Sequence, residues 1–193
     1  MTRASAFILG YHGCDRKIEE RVLEGKQHLR ASKNDYDWLG AGIYFWENSA
    51  DRAGEWAKLA KENPKLARSQ ITEPFVVGAI IDLGNCLDLL EAESIQIVER
   101  SYEMLKVNFE TANLIPPENK GAIRRLDCAT INHAHALRSE QREPEFDTVR
   151  AAFFEGEPLY QNAGFQKRTH VQICVRTPKQ ILGYFRPIGM LDA

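Results

Sequence analysis

The sequence predicts an α+β domain with a largely antiparallel sheet. Apolar runs of period two alternate with stretches of period three to four, and the last third of the chain is rich in strand-like segments. No internal repeat, low-complexity tract or linker divides the 193 residues, so one domain over residues 1–193 is expected. A chain of that length buries enough surface on folding to hold a core without staples.

Taken in order, Ala6 to Tyr11 is an apolar strand, followed by Asp15 as N-cap of a short helix that runs through Leu23 and ends at Gly25. Ser32 to Gly42, with Asn34, Asp35, Asp37, Gly40 and Gly42, is loop-like and feeds a strand at Ile43 to Trp46. Ser49 caps the next helix, whose Ala53, Trp56, Ala57 and Ala60 recur at helical spacing and mark its buried face, ending near Pro64. Phe75 to Leu83 is a strand, Ile95 to Phe109 a helix, and Pro116-Pro117 forces a break. A helical stretch from about Gly121 to Arg138 precedes strands at Val149 to Phe154, Val171 to Arg176 and Ile181 to Arg186.

Composition narrows the function classes. A 44% hydrophobic and 27% charged chain is that of an ordinary soluble domain. No apolar run approaches the roughly 20 residues that cross a bilayer, and the start MTRASAFILGYHG lacks a signal-peptide pattern, so a cytoplasmic protein with no membrane partner is expected. Cys14, Cys86, Cys128 and Cys174 are scattered without a CxxC pair and are read as reduced thiols. His133 and His135 stand two apart on a helix, on different faces, and no third ligand follows, so no metal is expected. A formal net charge of −2 gives no overall attraction to nucleic acid, whose binding would need a local basic surface.

The chemistry-bearing residues lie at both ends. Tyr11-His12-Gly13 closes the first strand. About thirty residues later comes Leu39-Gly40-Ala41-Gly42-Ile43-Tyr44-Phe45, with Leu29-Arg30-Ala31 before the loop and Ser49-Ala50-Asp51-Arg52-Ala53 after it, and Gln172-Ile173-Cys174-Val175-Arg176-Thr177-Pro178-Lys179-Gln180-Ile181 stands near the end. A histidine that closes a strand is by itself often a structural residue. The three segments together, however, resemble the donor site of the diphtheria-toxin-like and poly(ADP-ribose) polymerase-like branch of ADP-ribosyltransferases, whose motif is histidine, tyrosine, glutamate. Residues 58–150 match nothing in that family by motif.

The resemblance implies a split antiparallel sheet with flanking helices and NAD+ as substrate. It implies that His12 hydrogen-bonds a ribose hydroxyl, that the Gly13 backbone admits the nicotinamide amide, and that Tyr44 stacks on the nicotinamide ring. Arg30 and Ser32 complete the implied donor contacts, although Arg30 also reads as a solvated charge. Trp56 reads either as a second stacking ring or, by its helical spacing, as core. Arg52 stands where many relatives carry a serine. Gln172 replaces the family's glutamate: it can still hydrogen-bond the ribose but cannot act as a base, so transfer of a single ADP-ribose is expected. His12, Tyr44 and Gln172 are the expected catalytic residues, with any base supplied by the acceptor or by His170, Glu155 or Glu157.

Phe153 to Phe165 falls where related toxins place an acceptor-selecting loop. Tyr160 and Phe165, beside Gln161, Asn162, Lys167 and Arg168, could grip a base or a protein side chain or return to the core, and Phe153 and Phe154 are expected in the core. The implied function is a mono-ADP-ribosyltransferase acting on a protein, RNA or DNA acceptor, as the toxin of a toxin-antitoxin or antiphage system, with an antitoxin protein as candidate partner. The alternative is a catalytically inactive module of the same fold that binds NAD+, ADP-ribose or a protein. A 2′-phosphate transferase ranks last, since its paired arginines find no place here.

Overall fold

The computed structural model describes residues 7–67 and 69–188. Ala6, the expected start of the first strand, lies outside them. Strands β1 (Ile8–Asp15), β2 (Ile43–Glu47), β3 (Pro74–Ile81), β4 (Cys86–Asp88), β7 (Thr148–Phe153), β8 (His170–Val175) and β9 (Ile181–Phe185) form one sheet in the order β4-β7-β8-β2-β1-β3-β9. Every neighbouring pair is antiparallel except β4 with β7. That parallel pair needs a long crossover, supplied by helix α3 (Ala92–Thr111), a small β5 (Asn119–Lys120)/β6 (Ile123–Arg124) hairpin and helix α4 (Arg125–Glu140). The protein is therefore a mixed α+β domain with a large, mostly antiparallel sheet.

The caps explain where the first helices begin. Asp15 accepts from the Lys17 amide to start α1 (Arg16–Leu23), and Gly25, at φ +69°, ends the turn after it. Ser49 accepts from the Arg52 amide to start α2 (Ala50–Glu62). The fourth helix starts at Arg125 rather than Gly121, because residues 119–124 pair as the small hairpin and the Asn119 side chain receives the Leu126 and Asp127 amides.

Alternation along the strands divides the core between the two faces of the sheet. Ile43, Phe45, Val77, Ala79, Ile173 and Val175 pack on one face with Val22 of α1, whereas Val149, Ala151, Phe153 and Cys174 pack on the other with Ile131 of α4. Helix α2 covers Trp46 and Val76 through Ala53. Phe153 is buried, but Phe154 is 64% exposed, which corrects the expectation of a core position: it lies one residue past the end of β7.

Buried charge ties the ends of the chain together. Glu19 of α1, fully buried, accepts two hydrogen bonds from the Arg186 guanidinium just beyond β9. Asp15 accepts from the Thr72 amide and hydroxyl and the Glu73 amide as well as from Lys17, anchoring the segment that enters β3.

Candidate functional site

Strands β1 and β2 pair through two positions, Gly10↔Glu47 and Tyr11↔Trp46, and then part. In the gap, His12 reaches across so that its Nδ1 lies 2.7 Å from the Tyr44 main-chain oxygen. A carbonyl oxygen only accepts, so Nδ1 carries the proton and Nε2 is left as an acceptor in the neutral ring. Burial holds the His12 pKa below its ordinary value in spite of that hydrogen bond, which keeps the ring neutral.

The gap opens into a cavity of about 1150 Å³ whose wall includes His12, Gly13, Arg30, Ser32, Tyr44 and Gln172. Segments widely separated in sequence are thus brought to one place. The Tyr44 hydroxyl donates to the Gly40 carbonyl at 2.7 Å and accepts from the Leu39 amide at 3.0 Å. Both polar capacities are spent inside its own turn, so the ring is a fixed apolar surface. Gly13 has a packing reason to be glycine: a Cβ there would lie 2.2 Å from the Ala53 carbonyl oxygen of α2. Arg30 is exposed on the wall and makes no ion pair among the described residues. The Ser32 hydroxyl accepts from Asn34, and its backbone bridges to Gly42 in both directions.

Trp46, Trp56, Phe153, Arg52 and Glu55 also line the cavity. Trp46 was legible in principle, since it follows Tyr44 by two residues on the same face of β2, and it stands directly across from Gln172 of β8. Its indole N–H is buried with no protein partner. Trp56 is half-buried: it packs against Trp46 with ring centroids 6.0 Å apart and also forms part of the cavity wall. Arg52 is clamped between Glu55, three residues on along α2, and Glu155, 3.6 Å away, and its Nε finds no partner. The i, i+3 spacing of Arg52 and Glu55 is the signal that would have found that pair.

The candidate acceptor residues divide. Glu155, with Lys167 and Arg168, is on the cavity wall; Glu157, Tyr160 and His170 are not. Glu157 pairs with Lys167 at 3.1 Å. Residues 158–166 form a hairpin closed by the Pro158↔Gln166 bridge and the Leu159 amide to the Phe165 carbonyl, which leaves Tyr160 and Phe165 63% and 65% exposed at its tip. His170 is buried, stacked on Phe153 and hydrogen-bonded to Gln172.

Of the two helix histidines, His133 binds Ser101 and Asn108 of α3, and His135 is buried edge-on against Phe146 with neither nitrogen bonded. No group of three metal-ligating side chains occurs among the described residues, and no helix there is long and apolar enough to cross a membrane. All four cysteines are free; burial pushes the Cys14 and Cys174 thiols up to about 12 and Cys86 to about 11.

No protein-family model matches the chain, and no solved structure matches it. The chain is similar to an uncharacterized protein of Methanocaldococcus jannaschii, at 28% identity over 191 residues, an alignment that takes in 89% of this chain and 83% of that protein.

Proposed function

We propose that the protein is a mono-ADP-ribosyltransferase that cleaves NAD+ at the nicotinamide–ribose bond and transfers one ADP-ribose to a macromolecular acceptor. The observation that carries this reading is the convergence of His12, Tyr44 and Gln172, from three different strands, on one cavity at the point where β1 and β2 part.

In this reading the neutral His12 Nε2 accepts from a ribose hydroxyl, the locked Tyr44 ring takes the nicotinamide face, and Arg30 offers its unpaired charge to the diphosphate. Nicotinamide leaves with the electron pair of its bond to the sugar carbon, and the acceptor nucleophile attacks the oxocarbenium-like centre left behind. Holding the partners in line is the main contribution of such a site. Gln172 binds the sugar but takes no proton. Of the candidate bases, Glu155 is the one on the wall, and we place acceptance of the nucleophile's proton there, with Arg52 fixing the carboxylate. The role assigned to the activity is that of a cytoplasmic toxin of a toxin-antitoxin or antiphage system.

A second reading, a non-catalytic NAD+ or ADP-ribose binding module, is favoured by one observation: the third position is an amide already engaged by His170. Incubation with labelled NAD+ and a bacterial lysate, separated into protein and nucleic-acid fractions, distinguishes the two. The transferase reading expects label in one fraction, lost in His12→Ala and Tyr44→Ala proteins whose folding is verified by circular dichroism. NAD+ binding without label in either fraction would establish the binding module, and binding of neither NAD+ nor ADP-ribose would overturn both.

A further inference from the structure

A glutamine at the third position is ambiguous, because its side-chain amide has a donor end and an acceptor end of nearly the same shape. Only the acceptor end does the hydrogen-bonding work of the carboxylate it replaces. The two strand residues Gln172 and His170 resolve the ambiguity between them.

His170 Nδ1 lies 2.7 Å from the Arg168 main-chain oxygen, which can only accept, so Nδ1 bears a proton. In the neutral ring Nε2 is then a lone pair, and the Gln172 side-chain nitrogen, 3.1 Å away, donates to it. The Gln172 carbonyl oxygen makes no hydrogen bond among the described residues, and Gln172, unlike His170, lines the cavity. The imidazole is itself held in place: it stacks on Phe153 of β7 with centroids 5.6 Å apart and planes 26° from parallel, and Trp46 of β2 sits 6.5 Å away. Neither neighbour titrates at ordinary pH. Charged groups that line the cavity include Arg52 and Glu55 of α2 and Glu155, Lys167 and Arg168 of the segment between β7 and β8.

We propose that His170 is a positioning residue that locks the Gln172 amide with its carbonyl oxygen towards the cavity, so that the third position presents an acceptor to a sugar hydroxyl. The assignment of a sugar rests on the donor-site reading above; the amide orientation does not.

The test has two arms on the full chain. Ring 15N NMR at pH 8 is expected to find His170 protonated at Nδ1 and bare at Nε2; an Nε2-protonated tautomer would overturn the proposal. Titration with ADP-ribose and with NAD+ then compares His170→Phe, which keeps the aromatic stack, in two backgrounds. In the Gln172 background it is expected to weaken binding about tenfold, as loss of one oriented hydrogen bond does. In the Gln172→Glu background, where both oxygens accept and no orienting partner is needed, the same change is expected to cost less than about twofold. Equal losses in both backgrounds would mark His170 as merely structural and overturn the proposal. An Nδ1-protonated ring in a protein that binds neither compound would support the locked amide while overturning the donor-site reading.

Discussion

Replacing Asp15 by asparagine removes a charge while keeping an oxygen that can still cap α1. Burial alone would raise the Asp15 pKa, but hydrogen bonds from Glu73, from the Thr72 hydroxyl and amide, and from Lys17 outweigh it and bring the carboxyl from 3.8 to about 2. The carboxylate form is therefore favoured in the folded protein. At about 1.4 kcal/mol per pH unit, that separation contributes roughly 2.5 kcal/mol at neutral pH. Because the folded value is the lower one, the contribution is complete above about pH 4 and is lost as the pH falls from 4 towards 2. Urea titrations of wild type and Asp15→Asn, followed by far-ultraviolet circular dichroism, are expected to differ by roughly 2 to 3 kcal/mol at pH 7 and to converge as the pH approaches 2. A difference that stays constant between pH 7 and pH 3 would mean that the variant disturbs shape rather than charge, and would refute the electrostatic account.

Removing the Arg186 guanidinium leaves the fully buried Glu19 carboxylate without its counter-ion, so Arg186→Met is expected to cost about 3 kcal/mol in chemical denaturation, whereas Glu19→Gln, which leaves only the part-exposed Arg186 charge, is expected to cost less. His135 is held neutral, its pKa lowered to about 3 by burial and by the nearby Arg176 and Arg138 charges. The unfolded chain takes up the proton first, so stability falls as pH drops below about 6.5, and His135→Leu is expected to flatten that acid-side decline in thermal melts between pH 7.5 and pH 5. If the exposed hairpin grips the acceptor, Tyr160→Ala with Phe165→Ala should leave NAD+ affinity within about twofold, since neither residue lines the cavity, while transfer to the acceptor drops at least tenfold in the labelling assay.

Much of the local structure was legible because it depends on neighbours in sequence. Asp15 and Ser49 cap the helices expected of them through amides two and three residues ahead, and Ala53, Ala57 and Ala60 lie at helical spacing and are buried. Period two placed β1, β2, β3, β7, β8 and β9 to within a few residues. The three-residue β4 escaped notice because Cys86–Asp88 is too short to show a period, and it is a strand only because Thr148–Arg150 lies alongside it. The start of α4 was misplaced for a similar reason: residues 119–124 pair with one another, and a two-residue ladder leaves no mark in composition.

The sequence by itself determined which residues carry donor and acceptor groups and which faces of the helices and strands are apolar. Those properties follow from side-chain chemistry and the two backbone periods. Only the tertiary structure decided that β1 and β2 part beyond Tyr11↔Trp46, that Glu155 reaches the cavity while Glu157 and Tyr160 stay outside it, and that His170 is buried against Phe153 and hydrogen-bonded to Gln172 rather than on the cavity wall. Each of these depends on contacts between segments far apart in the chain, where neither spacing nor composition records which strand edge, helix or carbonyl a side chain will meet.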